Sequence, residues 1–278
     1  MNQAYLFPPR SILTPTDLGE VSKSALKYAR FFHERFGSRV SVLHAEHIEL
    51  PPYFSSGQVG ELKREIKKLT RAATDYVRKE SELTLGFPPD VRVVEVMPVD
   101  AILKQSEDNQ FELVIMGIHG HSYAERLRMG SVTERVLRNS TIPVLAVRKD
   151  PPEIPVQQIL CPMSPSETGR QALEYAARIS KEMNARLIVL HVVEQGEEPL
   201  TCPLVDEQIQ KTCRVEEVRF HGNAARTIAE ASNDLKPDLI VMGAERKKSI
   251  LGEMFSSTTM GVMQIAVGPL LAVPRSVQ

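Results

Sequence analysis

The sequence predicts an α/β protein built from two doubly wound, parallel-sheet domains in tandem, and three observations carry that expectation. The chain has 278 residues, which at about 100 to 200 residues per domain is room for two cores rather than one. Shifted by 147 residues it falls on itself: Ile12 on Ile159, Leu13 on Leu160, Pro15 on Pro162, Glu20 on Glu167, Tyr28-Ala29 on Tyr175-Ala176 and Leu43-His44 on Leu190-His191. Within each copy, short apolar runs alternate with amphipathic stretches, the pattern of a parallel sheet covered by helices on both faces. The expected domains are residues 1–150 and 151–278.

In the first copy the apolar run 11–14 reads as a strand and 20–36 as the helix that follows it. A second strand at 39–44 ends in Leu43-His44. The helix expected at 61–81 keeps Leu62, Ile66, Leu69, Ala73 and Val77 at three-to-four spacing, while Lys and Arg fill the other face, which reads as solvated surface. A third strand at 91–97 and a helix at 100–107 lead to a buried strand at 113–116. The helix at 131–138 is expected to start with Ser131 as its cap and Glu134 three residues on, and the unit closes with a strand at 144–148.

Farther along, the offset becomes 126, with Met116-Gly117 on Met242-Gly243, Pro143 on Pro269 and Leu145-Ala146-Val147 on Leu271-Ala272-Val273. The second copy is therefore 21 residues shorter, somewhere between its second strand and its third helix. The connecting stretch 149–155 holds three prolines, so the halves are held close and are expected to pack together.

Composition narrows the function. Lys plus Arg number 34 against 35 Asp plus Glu, a formal net charge of -1, so no global field draws nucleic acid or anionic lipid as a partner. No apolar run approaches the roughly 20 residues that span a bilayer, and the N-terminal stretch lacks a basic start. Three cysteines without paired spacing argue against a disulfide framework. A cytoplasmic protein is expected, in which the sequon Asn139-Ser140-Thr141 is a chance match.

The segment Gly117-Ile118-His119-Gly120, followed nine residues later by Gly130-Ser131, carries the chemistry. It lies between a buried strand and a helix start. Glycines at 117 and 120 permit positive φ and close approach of the main chain to an anion, and the amides and dipole of a helix start favour negative charge. In a doubly wound sheet, ligands bind beyond the carboxyl ends of the strands where chain order reverses. Asp17 follows the first strand and Gly117 the fourth, so both converge on one crevice if the reversal lies between those strands. The competing roles are structural: Asp17 as a turn residue capping the next helix, the glycines as turn formers, and Ser131 with Glu134 as a capping box alone.

The pattern Gly-x2-Gly-x9-Gly-Ser, together with Ile12-Leu13-Thr14-Pro15-Thr16-Asp17, Leu43-His44 and Ile142-Pro143-Val144-Leu145-Ala146-Val147, resembles the ATP-binding motif of the universal stress protein family. The resemblance covers residues 10–148. It implies a Rossmann-like fold with strand order 3-2-1-4-5, and pairing of the two final strands so that the chain is a covalent version of the family's dimer, with a further homodimer left as an option. It implies ATP, with or without Mg, as the ligand. Asp17 would then meet the nucleoside, the main chain of Ala45 the adenine edge, and Gly120, Gly130, Ser131 and Val132 the phosphates, with Gly117 opening the loop.

His119, His121, Arg126 and Arg128 lie in the same loop, as phosphate contacts or as solvated side chains. The second copy reads Gly243-Ala244-Glu245-Arg246 and then Ser256-Ser257, with Ser164 in the place of Asp17. One glycine of three survives there, and that site is expected to be degenerate. A zinc site from Cys161, His191, Cys202 and Cys213 is geometrically conceivable, although the spacing matches no tight zinc signature. The leading expectation is an ATP-binding stress-response module acting as a regulator or adaptor; the alternative is a slow ATPase or phosphotransferase using the same loop. The chain has no Gly-x4-Gly-Lys-Ser/Thr and no signature of adenylate-forming enzymes, which favours binding over turnover.

Overall fold

The computed structural model describes residues 5–47, 56–108, 111–118, 129–151, 156–196, 202–244, 246–249, 252–255, 257–266 and 268–275. The first half runs β1 (Ser11–Pro15), α1 (Glu20–Phe36), β2 (Arg39–Ala45), α2 (Ser56–Leu85), β3 (Asp90–Val94), α3 (Pro98–Glu107), β4 (Leu113–Gly117), α4 (Ser131–Asn139) and β5 (Val144–Val147). The second runs β6 (Gln158–Pro162), α5 (Glu167–Met183), β7 (Arg186–Val193), α6 (Glu207–Thr212), β8 (Arg214–His221), α7 (Ala224–Leu235), β9 (Leu239–Ala244), β10 (Arg246–Ser249), β11 (Gly252–Phe255), α8 (Ser257–Ile265) and β12 (Leu270–Pro274).

Ten strands form one sheet in the order β3-β2-β1-β4-β5-β12-β9-β6-β7-β8. Each half has the expected 3-2-1-4-5 order with parallel neighbours, and the halves meet where β5 and β12 pair antiparallel, with Leu145 opposite Leu271. Because that pairing inverts one half relative to the other, the carboxyl ends of the strands point to opposite edges of the sheet in the two halves. Central strands such as β1, β4 and β5 are buried on both faces, which is why they read as continuous apolar runs rather than alternating ones.

The equivalence of the copies extends to their helix ends. Helix α1 stops at Gly37, whose φ of 70° is left-handed, and α5 stops at Asn184, 147 positions later, with φ 54°. Both residue types tolerate that conformation, which ends a helix by turning its last amide back onto the final carbonyls. Strand register locates the deletion. Ser41 pairs with Asp90 in β2–β3 and Ile188 with Glu216 in β7–β8, so the offset has already become 126 at the third strand. The missing residues therefore lie between the second and third strands, where the 30-residue α2 is replaced by the six-residue α6.

Two modest cores, one per domain, are what the chain length suggests; the structure divides its apolar interior differently. One layer lies on the α1/α5 side of the sheet and holds Ile12, Leu26 and Phe32 together with Ile159, Leu173 and Ile179. The other lies on the opposite side and likewise mixes both halves, Leu13 and Val136 with Leu160 and Met263. A continuous sheet makes each layer continuous. The segment before β1 reinforces the seam: the Tyr5 hydroxyl donates to the Thr141 carbonyl at 3.0 Å, Arg178 donates to the Tyr5 carbonyl, and Phe7 packs edge-on to Phe32 and Tyr175.

Candidate functional site

A cleft of about 500 Å³ opens at the carboxyl ends of β1 and β4, where chain order reverses. Asp17, Ala45, Gly117, Gly130, Ser131 and Val132 all line it. Pro98, Ile102 and Met116 give it an apolar wall. Gly120, with His119, His121, Arg126 and Arg128, lies outside the described residues.

Asp17 fills the turn role open to it and also lines the cleft. Its Oδ1 accepts from the Gly19 amide at 2.9 Å and from the Ser22 hydroxyl, which fixes the turn into α1. The carboxylate nevertheless lines the cleft. His44 holds the neighbouring wall, its Nδ1 bonded to the Thr16 carbonyl at 2.9 Å, which ties the end of β2 to the end of β1. Opposite them, the Thr133 hydroxyl donates to the Gly117 carbonyl at 2.8 Å and fixes the start of α4 to the end of β4.

Three sequence expectations need correction. Ser131 is not the cap of α4: Gly130 is, in extended conformation at φ -63° and ψ 143°, and no side chain caps this end. Glu134 turns instead to Arg138, at 2.6 Å, one helical turn on. Gly130 does not offer its amide to the cleft, because that amide donates to the Ile118 carbonyl at 2.8 Å. No described residue accepts from the amides of Ser131 and Val132, which face outward at the start of the helix as the geometry of a helix end requires. Gly117, finally, does not adopt a positive φ. A Cβ there would lie 2.8 Å from Val21 Cγ1 and 3.2 Å from the Val21 backbone, so glycine is required by the close approach of α1 to β4.

Ser22 and Thr133 went unnoticed in the sequence as site-builders. Thr133 carried a signal, since its equivalent Thr259 donates to the Gly243 carbonyl at 3.1 Å. In the same way His191 repeats His44, bonding the Met163 carbonyl at 3.1 Å.

The matching cleft of the second half measures about 200 Å³. Ser164 stands where Asp17 does, its hydroxyl paired with that of Ser166 at 2.8 Å. Gly169 replaces Ser22, and a Cβ on it would fall 2.2 Å from the Ser164 carbonyl oxygen, so the turn packs down on α5. The loop after β9 is folded as an antiparallel hairpin, Arg246 opposite Phe255 and Ser249 opposite Gly252. Backbone groups that pair in a hairpin ladder are not available to an anion. The second half thus departs from the first in backbone as well as in residue type, by the packed-down turn at 164–169 and by the hairpin that begins at Arg246; Glu245 and Ser256 lie outside the described residues.

The cysteines do not converge. Cys161 is fully buried, and burial pushes its thiol up to about 12. Cys202 is exposed, and the Cys213 thiol donates to the Ala177 carbonyl at 3.4 Å. Among the described residues no three His, Cys, Asp or Glu side chains group as metal ligands, and no helix is long and apolar enough to cross a membrane.

The family model described as the universal stress protein family matches residues 9–148, 155–207 and 204–274. The chain belongs to the universal stress protein family. Its relatives include universal stress protein MJ0577 of Methanocaldococcus jannaschii, 33% identical over a 155-residue alignment that covers 50% of this chain and 95% of the relative. Universal stress protein MJ0531 of the same organism is 31% identical over 50% of this chain and 82% of its own length. Among solved structures, a universal stress protein from Archaeoglobus fulgidus matches with a TM-score of 0.70 at 24% identity, covering 95% of this chain and 96% of that one. These two relatives thus correspond to half of this universal stress protein, and the fold recurs over 95% of it in a solved structure.

Proposed function

We propose that this universal stress protein binds one ATP per chain, in the cleft of its first half, and that occupancy of that cleft governs its contacts with other proteins in a cytoplasmic stress response. The observation that carries the proposal is the asymmetry between the clefts, about 500 Å³ against about 200 Å³, on a fold whose switch point is where such ligands sit. On this reading the chain divides near residue 150, the first half holding the ligand and the second supporting it.

Asp17 and Ala45 both line the cleft; on this reading Asp17 would accept from ribose hydroxyls and the main chain of Ala45 would meet the adenine edge. The Ser131 and Val132 amides, with the dipole of α4, favour the phosphates, and the Ser131 hydroxyl adds a donor. By the family resemblance Gly120 would add a backbone amide to the phosphates, with or without Mg on the nucleotide. Calorimetric titration of the whole chain tests the reading: one equivalent of ATP is expected, and two equivalents, or none, overturns it.

A further inference from the structure

Helix α2 has two apolar faces. One, with Ile66, Val77 and Leu85, is buried against α1 and β3. The other is a row at seven-residue intervals, Leu62, Leu69, Tyr76 and Leu83, in which Leu69 is 62% exposed, Tyr76 56% and Leu83 74%. A seven-residue repeat drifts by only about 20° per heptad on a straight helix, so these side chains share one side over roughly 32 Å at 1.5 Å per residue. Large apolar residues left in water at that spacing form a seam for another helix.

The seam is self-complementary about Ala72. Reversing the helix about that residue brings Glu65 level with Lys79 of the second copy, and Lys68 within one residue of its Asp75. The same reversal sets Leu69 beside Tyr76 of the second copy and Leu62 beside its Leu83, with the small Ala72 side chains meeting on the axis. A parallel pair would instead oppose Glu65 to Glu65 and Lys79 to Lys79. The intrachain pairs Lys68–Glu65 and Arg78–Asp75 are solvent-exposed, so re-pairing these charges costs little.

We infer that the chain forms an antiparallel homodimer through α2, with its two-fold axis at Ala72. Strands β5 and β12, each the last strand of its half, are already paired with one another within the chain, which leaves them unavailable to a second copy. The second half offers no equivalent seam, since α6 has six residues; each chain presents one such surface, and a two-fold contact then closes at the dimer.

Sedimentation of the full chain across a concentration series tests this. The expected mass is that of two copies, halving in the variant Leu69→Glu with Tyr76→Glu while its circular dichroism and melting midpoint stay near those of the parent, because both side chains are exposed. Glu65→Lys should weaken the dimer, and adding Lys79→Glu should restore it. A parent chain that sediments as a monomer throughout, a double-Glu variant that stays dimeric, or a charge swap that fails to restore association overturns the inference.

Discussion

Gly117 and Gly243 are the one glycine pair of the loop motif that both halves share, and the reason is packing. A Cβ at Gly243 would meet Thr168 backbone and side chain at 3.0 to 3.1 Å, as one at Gly117 would meet Val21. Gly243 therefore survives in the half with the smaller cleft, and its presence says nothing about a ligand. Gly117→Ala and Gly243→Ala should each destabilise the chain by roughly 1–3 kcal/mol through overpacking, lowering the urea midpoint without changing the slope. Asp17→Ala should act differently. Loss of a charged acceptor is worth about 1.5–3 kcal/mol, so ATP affinity should fall roughly 10- to 100-fold, read by calorimetry; an unchanged affinity would remove Asp17 from the site. That Asp17 lines the cleft with Gly117 was legible because the two follow the first and fourth apolar strands. Ser131 was misread because Ser-x-x-Glu has the form of a capping box wherever the helix starts, and the register between Gly130 and Ser131 is set by the Gly130 amide reaching the Ile118 carbonyl, a contact no local pattern encodes.

Element by element, boundaries followed from residues whose backbone preferences are strong. The third strand was expected to reach residue 97 but ends at Val94, because Met97 is the cap of α3 and Pro98 its first residue, a position that suits a residue with no amide to donate. Helix α2 overruns its expected span at both ends and stops at Gly86, φ 79°, whose amide donates to the Glu82 carbonyl at 2.8 Å. The hairpin β10–β11 had no such signal: Arg246-Lys247-Lys248-Ser249 lacks the apolar alternation that announces a strand. The threonine clamps between the fourth strand and fourth helix of each half separate structure from function. Thr133 is buried, so Thr133→Val leaves the Gly117 carbonyl short of its donor at a cost of about 1–3 kcal/mol, and Thr259→Val should cost a similar amount. Only Thr133→Val should also weaken ATP binding, since only that clamp positions the amides of a wide cleft; equal loss of affinity in both variants would contradict the assignment of the site to one half.

Across the whole molecule, the repeat was legible from matching residues, whereas the single sheet came from a strand pairing that sequence suggested only through the family likeness. A sheet shared by both halves, two apolar layers that cross the seam and the Tyr5–Phe7 segment bridging α1 and α5 predict that the chain unfolds as one cooperative unit. Calorimetry should show one transition for the parent. Leu145→Asp, which buries an unpaired carboxylate opposite Leu271, should split it in two; two transitions in the parent would mean the seam is weaker than its burial implies. The antiparallel seam also bears on how the two clefts could diverge. In a dimer of identical subunits every substitution is inherited twice, so a change that fills one cleft fills both. Joining the subunits in one reading frame releases the copies from that symmetry: Ser164, Gly169 and a folded hairpin can accumulate at one edge of the sheet while Asp17 and Ser22 persist at the other, and the partner half keeps its place without keeping its chemistry.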